Sequence, residues 1–286
     1  MLRNLFPKLA LGFIPVIYRR GVRMKSYYTK YPQLKNLLGK VPDEIIKNEL
    51  RDKVPVFEYY ASLAQDIICP VFLSDVFPQD AERGRITLDN FLGQWGNITV
   101  EEICKICLIA VWLKPLAVFE FGTFNGMTTK QFALNTHADC KIYTLDIPPQ
   151  QSTDLSLGEI DGYLAQKKDF FHFDVGYYFK GDLCESKIIQ LWGDSTKIDF
   201  SSFQGQFDIV FIDAGHTYPY VKADSENAFE MIRPGGVIIW HDYMQVLHPD
   251  VTRLLYEYAI SGLKIHQLRS TSLAVYYDKG LQDARP

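Results

Sequence analysis

A chain of 286 residues with 47% hydrophobic and 22% charged residues is long enough to bury a large core and too apolar to be disordered. Its formal net charge is -4 and its mean hydropathy -0.08, and no apolar run reaches the ~18 residues that a membrane-spanning helix requires. Five cysteines (Cys69, Cys104, Cys107, Cys140, Cys184) are an odd number scattered over a long chain, so a disulfide framework is excluded and a reducing, cytoplasmic compartment is expected.

The N-terminus is basic. Nine Lys and Arg precede the first acid, Asp43, which leaves 21 basic against 34 acidic residues in the remainder. Pro15 breaks the apolar stretch 9–18, and basic residues follow it where a secretory signal would carry a small-residue cleavage site. The arm is expected to pack on the body with its charges solvated; peripheral contact with anionic lipid and organellar targeting are the alternatives. Residues 1–95 read as a mostly helical arm or cap, and residues 96–286 as the main domain.

From Asn97 the pattern becomes regular. Thr99-Val-Glu-Glu102 is a capping box and predicts a helix that runs to Lys114-Pro115. Cys104 and Cys107 fall inside that helix, away from its N-terminus, and read as core packing. The capping box also accounts for the glycosylation-like Asn97-Ile-Thr99 without secretion. Leu116–Phe119 reads as a buried strand, followed by a helix from Met127 to Asn135. Further strands are predicted at Lys141–Leu145, Ile188–Trp192, Phe207–Ile212 and Val237–Trp240, with a helix over Tyr220–Ile232 that Arg233-Pro-Gly-Gly236 should end. His266–Arg269 and Leu273–Tyr277 read as an antiparallel hairpin on the sheet edge. Alternating helices and near-continuous apolar strands predict an α/β, doubly wound, mainly parallel sheet. The stretch 147–187 is too long for an ordinary crossover and carries Phe170, Phe171, Phe173, Tyr177, Tyr178 and Phe179. It is either an aromatic lid beside the site or a packed insertion.

In such sheets ligands bind beyond the carboxyl ends of the strands. The first strand ends in Glu120-Phe-Gly122-Thr123-Phe-Asn125-Gly126. Phe124 stands where a dinucleotide fingerprint needs its second glycine, which disfavours a pyrophosphate, whereas Glu120 suits an ammonium group. Asp146 ends the second strand, where a carboxylate can accept from both ribose hydroxyls. The third ends in Gly193-Asp194-Ser195, placed to meet an adenine amine, the fourth in Asp213-Ala-Gly-His216, and the fifth in Trp240-His241-Asp242. Ammonium, ribose and adenine in that order describe S-adenosylmethionine better than NAD.

The stretch 207–218, continued by Val221-Lys-Ala-Asp224 and 233–243, resembles a class I S-adenosylmethionine-dependent methyltransferase, most of all the branch of cephalosporin hydroxylase-like and macrolide-sugar O-methyltransferases. The likeness covers about residues 97–280. It implies a seven-stranded Rossmann-like sheet whose last strand is antiparallel. It also implies that Glu120, Gly122, Thr123, Asn125 and Gly126 line the methionine end of the cofactor, Asp146 the ribose, and Gly193, Asp194 and Ser195 the adenine, with Asp213 close by.

The resemblance further implies a divalent cation held by Asp213 and an acidic pair after the fifth strand. That pair is here His241-Asp242, an imidazole in place of one oxygen ligand, so manganese or iron is to be weighed beside magnesium, or no metal at all. Gly215 replaces an acid common among relatives. Asp213 and His216 are the candidate catalytic residues, His216 as general base. Without function, His216 would be a loop histidine, His241 a structural one, Asp242 a helix N-cap and Asp146 the cap of the Pro148-Pro149 turn. The expected partner is a small-molecule or saccharide acceptor, and a homo-oligomer is allowed. Nucleic acid is not expected, because the body is acidic and an Asn/Asp-Pro-Pro-aromatic motif is missing after the fourth strand. A nicotinamide oxidoreductase and a non-enzymatic cofactor-binding module are the alternative functions.

Overall fold

The structure, a computed structural model, describes residues 29–31, 41–91, 96–148 and 174–277. The chain divides into two compact units, Met1–Lys40 and Val41–Pro286. The described residues 41–91 lie in the second of these units.

Helix α1 (Asp43–Ala64) opens this unit and lies along α6 (Pro249–Ile260). Its buried residues Ile46, Leu50 and Val54 recur every four positions, which places them on one face. A two-residue strand β1 (Pro70–Val71) and the single turn α2 (Leu73–Val76) follow. Helix α3 (Val100–Leu113) starts where its capping box predicts: the Glu102 N–H donates to Thr99 Oγ1 at 3.3 Å while Glu102 Oε2 accepts from the Thr99 N–H at 2.9 Å. It stops at Lys114, whose φ of 52° is left-handed, immediately before Pro115. Cys104 and Cys107 lie within it, and all five cysteines are free thiols.

The strands are β2 (Ala117–Phe121), β3 (Lys141–Asp146), β4 (Ile188–Trp192), β5 (Phe207–Ile212), β6 (Ile232–Trp240), β7 (Ile265–Leu268) and β8 (Ala274–Tyr277). With β1 they form one eight-stranded sheet in the order β1-β7-β8-β6-β5-β2-β3-β4. Among the described strands only β8 runs antiparallel to its neighbours, between β6 and β7. The mainly parallel, doubly wound fold class holds. The predicted tail hairpin is present as β7–β8, but its reversed strand lies inside the sheet, and β1, an eighth strand from the N-terminal region, pairs with β7 and forms the edge. Two residues carry too little pattern to be read as a strand from sequence.

Side chains alternate between two cores. Val118, Ile142, Ile209, Phe211, Val237 and Ile239 join one, with α3 and α4 (Met127–Leu134). Phe119, Phe121, Leu145, Val210, Ile212, Ile238 and Trp240 join the other, with α5 (Tyr218–Met231) and α6. Burial on both faces is what makes these strands read as continuous apolar runs. Arg233-Pro-Gly-Gly236, expected to be a helix stop, is the first half of β6. A register shift between Phe207 and Ile209 accommodates it, and Arg233 is drawn in by an ion pair to the fully buried Asp208.

Candidate active site

The chain order of the strands reverses between β2 and β5, so their carboxyl ends open the crevice in which ligands of open α/β sheets bind. The backbones pinch there. The Asp213 N–H donates to Phe121 O and the Gly122 N–H to Leu145 O, both at 2.9 Å. A Cβ on Gly122, whose φ is +95°, would stand 2.0 Å from the Asp213 carbonyl oxygen, so this position admits only glycine.

Glu120 points inward from β2 and is 1% exposed. Its Oε2 accepts from Thr144 Oγ1 at 2.6 Å and from Thr129 Oγ1, while Oε1 has no hydrogen-bond partner among the described residues. Burial pushes its pKa up to about 8; the two threonine hydroxyls oppose this and the charges of Asp213 and Asp146 add to it. Thr123 is buried in the same network: Gln190 Nε2 donates to Thr123 Oγ1 at 2.9 Å, and Thr123 Oγ1 lies 2.7 Å from Thr144 Oγ1.

The loop after β2 is held by its neighbours. Asp146 Oδ2 accepts from the Phe124 N–H and its Oδ1 from the Ile147 N–H, both at 2.7 Å, while Pro149 of the following turn lies outside the described residues. Asn125 Oδ1 accepts from the Met127 N–H at 3.1 Å and so starts α4. Gly126 leaves room for Phe179: a Cβ there would meet that ring at 2.5 Å. The described end of the insertion is thus packed on the glycine loop, with the Gly176 N–H donating to Phe124 O and the Tyr178 N–H to Asn125 O, both at 2.9 Å. Phe170, Phe171 and Phe173 lie outside the described residues.

At the end of β4, the Gly193 N–H donates to Asp146 O at 3.0 Å. Asp194 Oδ1 accepts from Thr196 Oγ1 at 2.7 Å and the Thr196 N–H at 3.0 Å, and its Oδ2 accepts from Tyr220 Oη at 3.4 Å. Asp194 and Ser195 are both buried. Glu120, the glycine loop, Asp146 and the 193–195 turn are therefore joined through adjacent strand ends.

A second constellation forms across β5 and β6. His241 Nδ1 lies 3.3 Å from Asp213 Oδ1 and 3.1 Å from Asp242 Oδ2, and His216 Nε2 lies 2.9 Å from Asp242 Oδ2. Asp213, His241 and Asp242 offer three ligand atoms within 4.8 Å of one another. His216, Asp242 and His248 offer a second such set, with the rings of His216 and His248 stacked at 3.8 Å. Asp242 is not a helix N-cap: its φ is +59°, and the next helix, α6, begins at Pro249.

Burial alone would drive His241 neutral, but Asp242 and Asp213 outweigh it and hold its pKa well above the usual value. For Asp242 and Asp213, burial opposes ionisation and the charge of His241 overrides it, so both pKa values are lowered.

Two members of this constellation escaped the sequence reading. His248 sits in a loop six residues past Asp242, at no motif position. Glu102 was read as a helix cap, yet its Oε2 also meets His241 Nε2 at 3.4 Å. Nothing local in sequence links α3 to β6.

Residues 119–243 match the family model described as a methyltransferase domain. A search of curated proteins found no match. Among solved structures the chain is similar to an O-methyltransferase from Bacillus cereus in complex with SAH, at 16% identity over 78% of this chain and 96% of that one, with a TM-score of 0.45. It is also similar to the O-methyltransferase TomG from Streptomyces achromogenes (15% identity, 79% and 96% covered, TM-score 0.44) and to the Podospora anserina methyltransferase PaMTH1 (12%, 90% and 97%, 0.42). The matched stretch begins in β2 and ends just past β6, so the part of the chain that carries most strand ends of the candidate site is similar to a methyltransferase domain.

Proposed function

We propose that the domain transfers the methyl group of S-adenosylmethionine to a hydroxyl of a small molecule or saccharide, assisted by a divalent cation. The observation that supports this most is the convergence of Glu120, the Gly122 pinch, Asp146 and the 193–195 turn on one side of the switch point, with the histidine–aspartate constellation beside them. Glu120 Oε1, buried without a hydrogen-bond partner among the described residues, suits an ammonium, and the carboxylate of Asp146 suits ribose hydroxyls. Phe124, in the slot of a second glycine, disfavours a dinucleotide.

The donor set fits a cation too. His241 Nδ1 is buried without a hydrogen-bond partner among the described residues and faces two carboxylate oxygens. Asp213, His241 and Asp242 would hold the ion. When bound, the cofactor supplies an electrophilic methyl on a sulfonium and the cation supplies Lewis-acid polarisation. The chain's own task is to hold the acceptor oxygen in line and remove its proton. We assign the removal of that proton to His216, whose Nε2 lies 2.9 Å from Asp242 Oδ2 and whose side chain is partly exposed.

The test is calorimetric titration of S-adenosylmethionine and S-adenosylhomocysteine into the full-length protein, followed by transfer of labelled methyl to a panel of sugars and phenols with magnesium, manganese or no metal. One cofactor site per chain is expected. Gly122→Ala should lose that binding, because its Cβ would overlap the Asp213 carbonyl. Folded wild-type protein that binds neither compound would refute the reading.

A further inference from the structure

We propose that Glu102 is the positioning residue of the cation site: it fixes the ring of His241 so that Nδ1, and no other atom of that ring, is presented to a divalent ion between Asp213 and Asp242. This rests on the reading that these three residues hold the ion.

A glutamate at the third position of a capped helix ordinarily answers only its own cap. Glu102 does more. It is 3% exposed, and its Oε2 accepts from the Thr99 N–H at 2.9 Å and from Thr99 Oγ1 at 2.8 Å. Its Oε1 accepts from the Ser272 N–H at 2.8 Å and Ser272 Oγ at 2.6 Å. The start of α3 and the turn between β7 and β8 thus clamp the carboxylate from both ends, and what remains of Oε2 points at His241 Nε2, 3.4 Å away.

The consequence is chemical. A carboxylate only accepts, so the nitrogen facing it carries the hydrogen, and in the neutral ring the lone pair then belongs to Nδ1. That atom is buried, has no hydrogen-bond partner among the described residues, and faces Asp213 Oδ1 at 3.3 Å and Asp242 Oδ2 at 3.1 Å. Three acceptors converging on one point need a positive charge between them, either a proton on Nδ1 or a bound cation that replaces it. A carboxylate that holds the far nitrogen of a ligating imidazole fixes its tautomer and raises its basicity, and removing such a partner typically costs about 10–100-fold in metal affinity. The imidazole also biases the site toward manganese, iron, cobalt or zinc over magnesium, which prefers oxygen throughout.

The experiment compares wild type, Glu102→Gln and Ser272→Ala for binding of Mn²⁺, followed by the resonance of the free ion, and of Co²⁺, followed by its visible absorption. Wild type should bind both ions more tightly than Mg²⁺. Glu102→Gln should bind each about 10–100-fold more weakly and alter the cobalt spectrum. Ser272→Ala, which loosens the same carboxylate on the side away from His241, should stay close to wild type. Equal losses in both variants, or an unchanged Glu102→Gln, would overturn the proposal. Should Glu102→Gln not fold, nitrogen-15 histidine spectra of the zinc-loaded wild type decide: coordination through Nδ1 with Nε2 protonated is required, and coordination through Nε2 refutes it. Wild type that binds no ion by any readout would mean that a proton occupies the gap, and the cation reading itself would fall.

Discussion

Glu120 shows how a single side chain sets fold stability against ligand binding. Its buried Oε1 lacks a partner among the described residues, and burial lifts its pKa from an ordinary 4.5 to about 8. A group whose pKa is raised on folding stabilises the fold fully below its unfolded pKa, and that contribution is lost as pH rises toward the folded one. The wild-type protein should therefore lose stability between about pH 5 and 8. Glu120→Gln, which mimics the protonated acid, should flatten this dependence and gain on the order of 1–3 kcal/mol near pH 8. The same variant should bind S-adenosylmethionine more weakly, because an amide is a poorer partner for an ammonium than a carboxylate. Urea melts at a series of pH values, paired with calorimetry, check both; a Glu120→Gln protein with unchanged pH dependence would show that the carboxyl is not the source.

Among elements, the described end of the insertion carries the most structural consequence. Phe179 is 2% exposed and fills the space left by Gly126 and Gly176, while two backbone hydrogen bonds staple 176–178 to the glycine loop. Lys130, buried on α4, adds ion pairs to Asp182 at 2.8 Å and to Asp89 at 2.6 Å. Residues 174–182 are thus a fixed wall of the loop that begins α4. Phe179→Ala should cost about 3–5 kcal/mol, the usual range for emptying a buried phenylalanine site, and weaken cofactor affinity through the loosened glycine loop. Thermal melts and titration of S-adenosylhomocysteine read the two effects. A variant with a wild-type melting temperature would show that the ring contributes no packing.

At the scale of the molecule, charge and site are separated along the chain. All nine basic residues before Asp43 fall in Met1–Lys40, and every candidate site residue lies in Val41–Pro286. No described helix is long and apolar enough to cross a membrane. A protein beginning at Val41 should therefore bind S-adenosylhomocysteine as tightly as the full chain. Sedimentation of both forms with anionic vesicles, with and without salt, separates a lipid-binding arm from a solvated one: only a salt-sensitive difference between them supports lipid contact. Marked loss of cofactor affinity on truncation would show that the arm takes part in the site. Helix α1 stays in the truncated protein, and it matters there, because Lys53 Nζ donates to Leu247 O at 2.6 Å and braces the loop that carries His248.

The sequence alone determined what repeats locally. Strands buried on both faces read as apolar runs, Thr99 and Glu102 announced a helix start, and an acid or glycine at each strand end marked the candidate site, because each signal depends only on neighbours within about one helical turn. Tertiary structure decided whatever depends on long-range pairing. Pro70–Val71 becomes an edge strand only because β7 offers its free side. Gly126 proves to be room for a phenylalanine 53 positions later, and Asp146 holds a backbone N–H across the loop. Above all, the capping glutamate of α3 reaches a histidine 139 positions away. Patterns of period 2 or 3.6 record which face of an element is buried; which buried faces meet, and hence which polar atoms are left to answer one another, is set by the order of the strands in the sheet.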